Sequence, residues 1–140
     1  MSAECVLLVD SDFDSRNVYR AILLPNGHRV VEAVDGEEGA ILAEELLPKV
    51  IISELVLPRL NGLALLERLK QSPRTASIPF VILSATESLE HRHRALELGC
   101  TAWLLKPRTP SEVLALVNTL STASEPPRRP STRRPTPSPR

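Results

Sequence analysis

The sequence predicts an α/β domain in which five parallel strands form one sheet that is covered by helices on both faces. Five short apolar runs each end near polar or turn residues, and a segment with helical spacing of its apolar residues follows every run. Strict alternation of strand and helix is typical of a doubly wound parallel sheet with right-handed crossovers. At 140 residues, 42% of them hydrophobic, the chain is long enough to bury one core.

The first two strand–helix units occupy residues 5 to 47. Cys5–Val9 is a continuous apolar run, which is typical of a strand buried on both faces. Ser11 and Asp14 have the spacing of a capping box, which predicts that the first helix begins there. His28–Ala33 is a weaker second strand. The apolar faces of the two helices are predicted at Val18, Tyr19, Ile22 and Leu23, and at Ile41, Leu42 and Leu46.

Three further units follow. The third apolar run stops at Glu54, and the turn signals Pro58 and Asn61-Gly62 come after it. The fourth run is Ile78–Leu83 and the fifth is Thr101–Leu105. The apolar positions of the three helices are Leu65, Leu66 and Leu69; Leu89, Ala95, Leu96 and Leu98; and Val113, Leu116, Val117 and Leu120.

Four of the predicted strands end in polar residues capable of chemistry: Asp10, Glu54, Ser84 and Lys106. The carboxyl ends of parallel strands share one edge of a sheet, where ligands of open α/β sheets bind. If the strand order is 2-1-3-4-5, the topological switch point falls between strands one and three and sets Asp10 beside Glu54. Two carboxylates, a hydroxyl and an ammonium at one crevice suit an oxyanion or a hard cation.

These motifs resemble the receiver domain of response regulators in two-component signalling. The resemblance covers residues 4 to about 121 and implies a flavodoxin-like fold. It also implies that an acidic pair after strand one holds Mg²⁺ and that an aspartate after strand three takes a phosphoryl group. A Ser or Thr after strand four and a Lys after strand five would bind the oxygens of that phosphoryl group. The matching motifs are Val-Leu-Leu-Val-Asp10, Glu54-Leu-Val-Leu-Pro58 with Asn61-Gly62, Val-Ile-Leu-Ser84-Ala85 and Leu-Lys106-Pro107.

Two positions depart from the pattern of that family. Ser11 stands where the second acid is expected, and Glu54 stands where the phosphoryl-accepting aspartate is expected. The extra methylene of Glu54 moves its carboxylate by about 1.5 Å, whereas in-line phosphoryl transfer depends on closer positioning. We expect Asp12 to cap the first helix or to be solvated rather than to replace the missing acid. The resemblance then implies a degenerate phosphoryl site at Glu54, Ser84 and Lys106, and a weak or absent Mg²⁺ site at Asp10, Glu54 and Val56.

The leading hypothesis is a pseudo-receiver, which is a phosphorylation-independent protein-interaction module and not an enzyme. Glu54 would reach toward Lys106 and place negative charge where a phosphoryl group would otherwise sit, so that no cofactor is required. The alternative is a working phosphoacceptor that uses Mg²⁺ and a histidine kinase. A flavin-binding flavodoxin is disfavoured because the first strand lacks a Ser/Thr/Gly-rich phosphate loop.

Three further residues are candidates for switching or partner binding. Trp103 stands where receivers place an aromatic residue whose rotamer reports the state of the site; the other interpretation is an aromatic ring that covers the sheet edge. Arg92 and Arg94 fall on a face that receivers offer to partners, or they are simply solvated charges. A histidine kinase or a downstream signalling protein is the expected partner.

Residues 124–140 differ in composition from residues 1–123. They contain five Arg, one Glu and six Pro, and no Leu, Ile, Val or aromatic residue, whereas residues 1–123 carry 12 basic and 16 acidic side chains. We predict a domain over residues 1–123 and a disordered basic tail over residues 124–140. The tail would serve as a tether, as a docking segment for an SH3-like or acidic partner, or as a weak nucleic-acid contact.

The remaining predictions concern location and assembly. No apolar run approaches the roughly 18 residues of a membrane helix, and the first residues do not form a secretory signal. We therefore expect a cytoplasmic protein without a membrane partner, either a monomer or a weak homodimer. No nucleic-acid-binding domain is recognisable, so nucleic acid is not an expected partner. Cys5 and Cys100 are too isolated for a disulfide framework or a zinc site.

Overall fold

A computed structural model describes residues 5–123 of the chain, so the predicted tail at residues 124–140 lies outside the described residues. Strands and helices alternate along the whole described range. The strands are β1 (Cys5–Val9), β2 (Arg29–Ala33), β3 (Val50–Ser53), β4 (Phe80–Ser84) and β5 (Ala102–Leu105). The helices are α1 (Phe13–Leu23), α2 (Gly36–Leu46), α3 (Gly62–Lys70), α4 (Leu89–Glu97) and α5 (Pro110–Ala123), with a 3-10 turn at Leu24–Asn26.

The five strands form one parallel sheet in the order β2-β1-β3-β4-β5, which confirms the predicted fold class and strand order. Val9, the last residue of β1, pairs with Ser53, the last residue of β3. The main-chain amide of Glu54 donates to the carbonyl of Val9 at 2.9 Å. This register places the residues that follow β1 and β3 side by side at the carboxyl edge of the sheet.

Helices cover both faces of the sheet, and each face has its own core. Successive strand residues point to opposite faces, so Leu8 packs with α1 and α5 whereas Leu7 packs with α2, α3 and α4. The α3 residues predicted to be apolar contacts, Leu65, Leu66 and Leu69, are all buried. Among residues 5–123, none of the helices combines the length and apolar content that crossing a membrane would require.

The predicted cap of the first helix is wrong by one residue. Asp12, not Ser11, is the N-cap, and its carboxylate accepts a hydrogen bond from the amide of Ser15 at 3.3 Å. The reason is the turn that leaves β1, in which the amide of Asp12 donates to Oδ1 of Asp10 at 2.9 Å. This turn leaves Ser11 exposed and starts the helix at Phe13.

Some of the predicted apolar helix faces are also wrong. In α2 the sheet-facing residues are small, and a Cβ added to Gly39 would lie 3.1 Å from both methyl groups of Val9. Because the helix approaches the sheet this closely, its larger residues point outward. The residues of the predicted apolar faces that are in fact exposed are Val18, Ile41, Leu89 and Leu96.

Candidate functional site

The ammonium group of Lys106 lies between two carboxylates at the carboxyl edge of the sheet. Its Nζ is 2.9 Å from Oε1 of Glu54 and 3.0 Å from Oδ2 of Asp10. The three side chains are mostly buried, with exposed fractions of 19% for Lys106, 10% for Glu54 and 13% for Asp10. The structure therefore brings together three of the four polar strand-end residues that the sequence singles out.

The second carboxylate oxygen of Glu54 is held by the main chain that follows β3. Oε2 accepts a hydrogen bond from the amide of Leu55 at 2.8 Å and a longer one from the amide of Val56 at 3.5 Å. The Glu54 carboxylate is thus bound on one side by an ammonium and on the other by its own loop. This arrangement fixes the direction of the side chain and satisfies both oxygens.

Two opposing influences act on the pKa of Lys106. Burial disfavours the charged form and would lower this pKa. The hydrogen bonds to Glu54 and to Asp10, together with the negative charge of both groups, outweigh burial and raise it above its usual value. Lys106 therefore remains an ammonium at neutral pH, and its charge is neutralised within the site.

Asp10 is engaged through both its carboxylate and its carbonyl. Oδ2 contacts Lys106 and Oδ1 accepts from the amide of Asp12. The carbonyl oxygen of Asp10 accepts from Nη1 of Arg16 at 2.6 Å, and Nε of Arg16 lies 2.7 Å from Oε1 of Glu32. The guanidinium of Arg16 thereby ties the end of β1 to β2.

The oxygen atoms of this site fit a Mg²⁺ ion poorly. Magnesium requires near-ideal octahedral coordination by oxygen at roughly 2.0 to 2.1 Å, and the carboxylates of Asp10 and Glu54 both already contact the Lys106 ammonium. Asp12 caps α1 and Ser11 adds no charge. Within the described range of the chain, no three His, Cys, Asp or Glu side chains are grouped so as to hold a metal ion. Val56, the third residue of the predicted metal site, is 66% exposed.

Ser84 ends β4 at the same edge, but the hydroxyl contacts its own loop. Ser84 Oγ donates to the carbonyl of Thr86 at 2.9 Å and accepts from the amide of Thr86 at 3.0 Å. The residue is fully buried. The structure therefore places Ser84 in the predicted crevice without joining its hydroxyl to Glu54 or Lys106, and the phosphoryl role of all three residues stays a prediction.

The loop after Glu54 is packed tightly against the start of α3. A Cβ on Gly62 would lie 2.5 Å from the carbonyl oxygen of Glu54, so the close approach requires glycine. The amide of Gly62 donates to the carbonyl of Leu55 at 2.7 Å. Arg59, in the same loop, adopts a left-handed φ of 71° and forms an ion pair with Asp35 at 3.3 Å. These contacts hold the loop whose amides bind Glu54.

The predicted switch and interaction residues occupy different positions. Trp103 lies in the middle of β5, is 9% exposed and packs in the core beneath α2, α3 and α4. Arg92 and Arg94 are exposed on α4, and Arg94 forms weak ion pairs with Glu67 and Glu97, each at 3.7 Å. Neither arginine belongs to the Lys106 cluster, so any partner-binding role would act at a separate surface.

Sequence reasoning missed several groups that complete the site. The amide of Leu55 has no sequence signal, because every residue except proline carries one. Arg16 gave no signal either, since nothing in the sequence indicates that its guanidinium reaches back to the carbonyl of Asp10. Arg16 and Tyr19 line a small cavity of about 10 Å³ together with Asp10 and Glu54. The close approach at Gly62 could be anticipated from the Asn61-Gly62 turn signal.

Comparison with known proteins identifies a family for most of the chain. The family model described as "Response regulator receiver domain" matches residues 6–118. Among solved structures, the receiver domain of the Francisella response regulator 1452 is similar with a TM-score of 0.80 and 29% identity, over 87% of this chain and 99% of that one. The Vibrio cholerae chemotaxis protein CheY4 gives 0.78 and 26% identity, over 85% and 99% of the two chains.

Curated relatives are similar at higher sequence identity. The Myxococcus xanthus gliding motility regulatory protein is 39% identical over 110 residues, which are 79% of this chain and 14% of that protein. The Synechocystis DNA-binding dual master transcriptional regulator RpaA is 33% identical over 115 residues, 82% of this chain and 48% of that one. A 14.6 kDa protein of Leptolyngbya boryana is 34% identical over 80% of this chain and 86% of its own length. The chain thus spans 14% of the Myxococcus xanthus relative and 48% of the Synechocystis relative.

Proposed function

This chain belongs to the family of response regulator receiver domains, and from that premise we propose that it signals as a phosphorylation-independent protein-interaction module in the cytoplasm. In this proposal Glu54 stands in for the phosphorylated aspartate, and the module requires no cofactor. Its output is the binding of a protein partner, either a histidine kinase or a downstream signalling protein, rather than turnover of a phosphoryl group.

One observation carries the proposal: Lys106 Nζ lies 2.9 Å from Glu54 Oε1. The resemblance implies that Lys106 binds phosphoryl oxygens. Here the ammonium group of Lys106 instead contacts a carboxylate oxygen of the protein itself. An ammonium and a carboxylate at this range attract by roughly 4 kcal/mol at an effective dielectric of 20, before the cost of desolvation is subtracted. An incoming phosphoryl group would have to displace that carboxylate. The ion pair therefore supports the proposal that the Glu54 side chain already fills the phosphoryl site.

The surface for partner binding in this proposal includes the exposed face of α4. Arg92 and Arg94 lie there with Leu89, which is 72% exposed, and Leu96, which is 51% exposed. Exposed apolar residues among positive charges favour a partner that offers both apolar and acidic side chains. The buried Trp103 lies on the strand next to this helix and would report changes that pass from the site to α4.

A working phosphoacceptor is the competing function. It is favoured by one observation, namely that Asp10, Ser84 and Lys106 still share one edge of the sheet with Glu54. Under this alternative, Mg²⁺ and a phosphodonor would open the Glu54–Lys106 pair. The two functions therefore differ in whether Mg²⁺ and a phosphodonor open the Glu54–Lys106 pair.

The test uses the full chain with Mg²⁺ and two reagents. Beryllofluoride mimics a bound phosphoryl group, and acetyl phosphate donates a real one. We expect neither a saturable change in the fluorescence of Trp103, the single tryptophan of the chain, nor a phosphoryl mass increment in the intact protein. A saturable fluorescence change together with labelling at Glu54 would overturn the proposal and establish the phosphoacceptor. Far-UV circular dichroism before and after treatment controls for unfolding.

A further inference from the structure

Lys70 is held by main-chain carbonyl groups rather than by acidic side chains. It ends α3, and its Nζ donates to the carbonyl of Ala76 at 2.7 Å and to that of Ile78 at 3.5 Å. Lys70 belongs to none of the ion pairs that residues 5–123 form. We propose that Lys70 is an acylation site, at which an acyl phosphate or an acyl thioester modifies Nζ. This inference goes beyond the receiver function and does not depend on it.

The hydrogen bonds of Lys70 can survive the loss of its proton. An ammonium group has three N–H donors, and the carbonyls of Ala76 and Ile78 use two of them. A neutral amine keeps two N–H groups and gains the lone pair that attacks an acyl carbon. Lys106 is the opposite case, because its charge is held by the carboxylates of Asp10 and Glu54. Deprotonation of Lys106 would cost both ion pairs, so the geometry favours Lys70 as the nucleophile.

The stem of Lys70 packs against the turn that follows α4. A Cβ built on Gly99 would lie 3.3 Å from Cε and 3.7 Å from Cδ of Lys70. This burial disfavours the charged form and lowers the pKa of Lys70 below its usual value of 10.5. A negative charge at Cys100 would act in the opposite direction, but its effect is the smaller one. Lys70 is only half-buried, so a small reagent can reach it.

The other nucleophiles of the domain provide internal comparisons. The chain has three lysines, at positions 49, 70 and 106. Lys49 is half-buried like Lys70, and its side chain takes part in no ion pair within the described residues. Cys100 is buried, and burial raises the pKa of its thiol, so that the thiol stays protonated and reacts poorly. Exposure alone therefore does not separate Lys70 from Lys49, and a difference in their reactivity would report the surroundings of the amine.

Acylation would loosen the segment that joins α3 to β4. Residues 71–79 fold back on the end of α3 through Lys70 and through Thr75, whose hydroxyl donates to the carbonyl of Leu69 at 2.6 Å. An acylated nitrogen has one hydrogen and no charge. It would serve only one of the two carbonyls that Lys70 now binds, and the other would lose its partner.

The reaction is a transfer of an acyl group to an amine. The Nζ lone pair forms a bond to the acyl carbon, while the bond from that carbon to the phosphate oxygen or to the thiol sulfur breaks. Phosphate or thiolate leaves with the electron pair of that bond. The nitrogen gives up one proton, which passes to the leaving group or to water.

The test incubates the full chain at mildly alkaline pH with acetyl phosphate and, separately, with acetyl-coenzyme A. Fragmentation mass spectrometry gives the acetylation rate at each lysine, and the faster reagent identifies the class of donor. We expect Lys70 to react at least about threefold faster than Lys49, and Lys106 to react slowest, because Lys70 gives up its proton more readily than an ordinary lysine. In the urea-unfolded chain the ratio of Lys70 to Lys49 should fall to about one, since both side chains are then solvated.

Equal rates at Lys70 and Lys49 in the folded chain would overturn the proposal. A rate ratio that urea leaves unchanged, or no acetylation of Lys70 by either reagent, would overturn it as well. The matched control is Lys49→Arg, which removes another lysine and should leave the rate at Lys70 within about twofold. An acetyl group and a phosphoryl group differ in mass, so this result is read independently of the phosphoryl test of the Glu54 site.

Hydrogen–deuterium exchange tests the structural consequence in the same samples. Amides of residues 71–79 should exchange faster once Lys70 is acetylated, because one carbonyl contact is lost. The variant Lys70→Arg keeps a positive charge and hydrogen-bond donors but cannot be acetylated at Nζ. Its exchange over residues 71–79 should not change on treatment with either reagent. Unchanged exchange in the acetylated protein, or an equal increase in Lys70→Arg, would overturn the link between Lys70 and this segment.

Discussion

Lys106 and Glu54 form an ion pair although the strands that they follow are not neighbours in the sheet. Lys106 follows β5 and Glu54 follows β3, and β4 lies between them in the sheet. Neighbouring strands are about 4.8 Å apart, so the two main chains are separated by on the order of 10 Å. The 2.9 Å contact between their charged groups therefore depends on the full length of both side chains. A shorter acid at position 54 would leave more of the space before Lys106 open.

Restoring the two missing aspartates should restore the chemistry. We expect the double change Glu54→Asp with Ser11→Asp to bind Mg²⁺ and to accept a phosphoryl group from acetyl phosphate. The shorter acid withdraws from Lys106, and the second carboxylate completes the acidic pair. Intact-mass spectrometry and Mg²⁺ titration of the Trp103 fluorescence measure the two effects. The control, Glu54→Gln with Ser11→Asp, should remain unlabelled, and an unlabelled Asp variant that is folded would contradict the prediction.

The Lys106 ion pairs should stabilise the fold up to alkaline pH. Because the pKa of Lys106 is raised above its usual 10.5 in the folded state, its contribution is fully present below about 10.5 and is lost as the pH rises through the folded-state value. Urea unfolding over a pH series measures this loss. Lys106→Met should lower the free energy of unfolding at neutral pH by about 3 kcal/mol, because two carboxylates lose their partner. The free energy of unfolding of this variant should fall less at alkaline pH than that of the unchanged protein, because the variant lacks the titration of Lys106. Identical pH profiles of the two proteins would contradict this assignment.

Asp12 should act as a helix cap and not as a metal ligand. Asp12→Ala should lower the free energy of unfolding by about 1 kcal/mol, because the amide of Ser15 loses its acceptor, while Asp12→Ser should retain most of the stability. In the background of the Glu54→Asp, Ser11→Asp double variant, neither change should alter the dissociation constant for Mg²⁺ by more than about twofold, since a capping residue does not coordinate the ion. A large loss of Mg²⁺ affinity in both variants would instead make Asp12 a ligand.

Charge reversal on α4 should separate partner binding from stability. Arg92→Glu should weaken capture of the partner by the tagged full chain and leave the melting temperature unchanged, because Arg92 is exposed. Arg94→Glu also breaks exposed ion pairs with Glu67 and Glu97, which are worth at most about 1 kcal/mol, and it should lower stability slightly. Undiminished binding of the same partner by both variants would remove α4 from the interaction surface.

The fold was predictable because it is encoded locally. Each buried strand is a continuous apolar run, and alternation with helices leaves few topologies open. The faces of α2 and α4 were not predictable in the same way. Ile41 and Leu89 fit a helical period, yet Gly39 lies so close to Val9 that only small residues fit beneath α2, and Ala95 is the buried residue of α4. Hydrophobic periodicity indicates that a helix packs on something but does not give the distance between helix and sheet.

By itself, the sequence determined the five alternating units and the gathering of Asp10, Glu54, Ser84 and Lys106 at one edge, whereas the sheet order came from the family resemblance. These features follow from apolar runs and from the rule that parallel strands end together. Only the tertiary structure decided which of those groups touch: Lys106 binds both carboxylates, whereas the Ser84 hydroxyl turns to Thr86. The physical reason is that contacts between side chains depend on differences of an ångström or two in reach and direction, which rotamers and loop amides set and which a linear pattern of residue types does not encode.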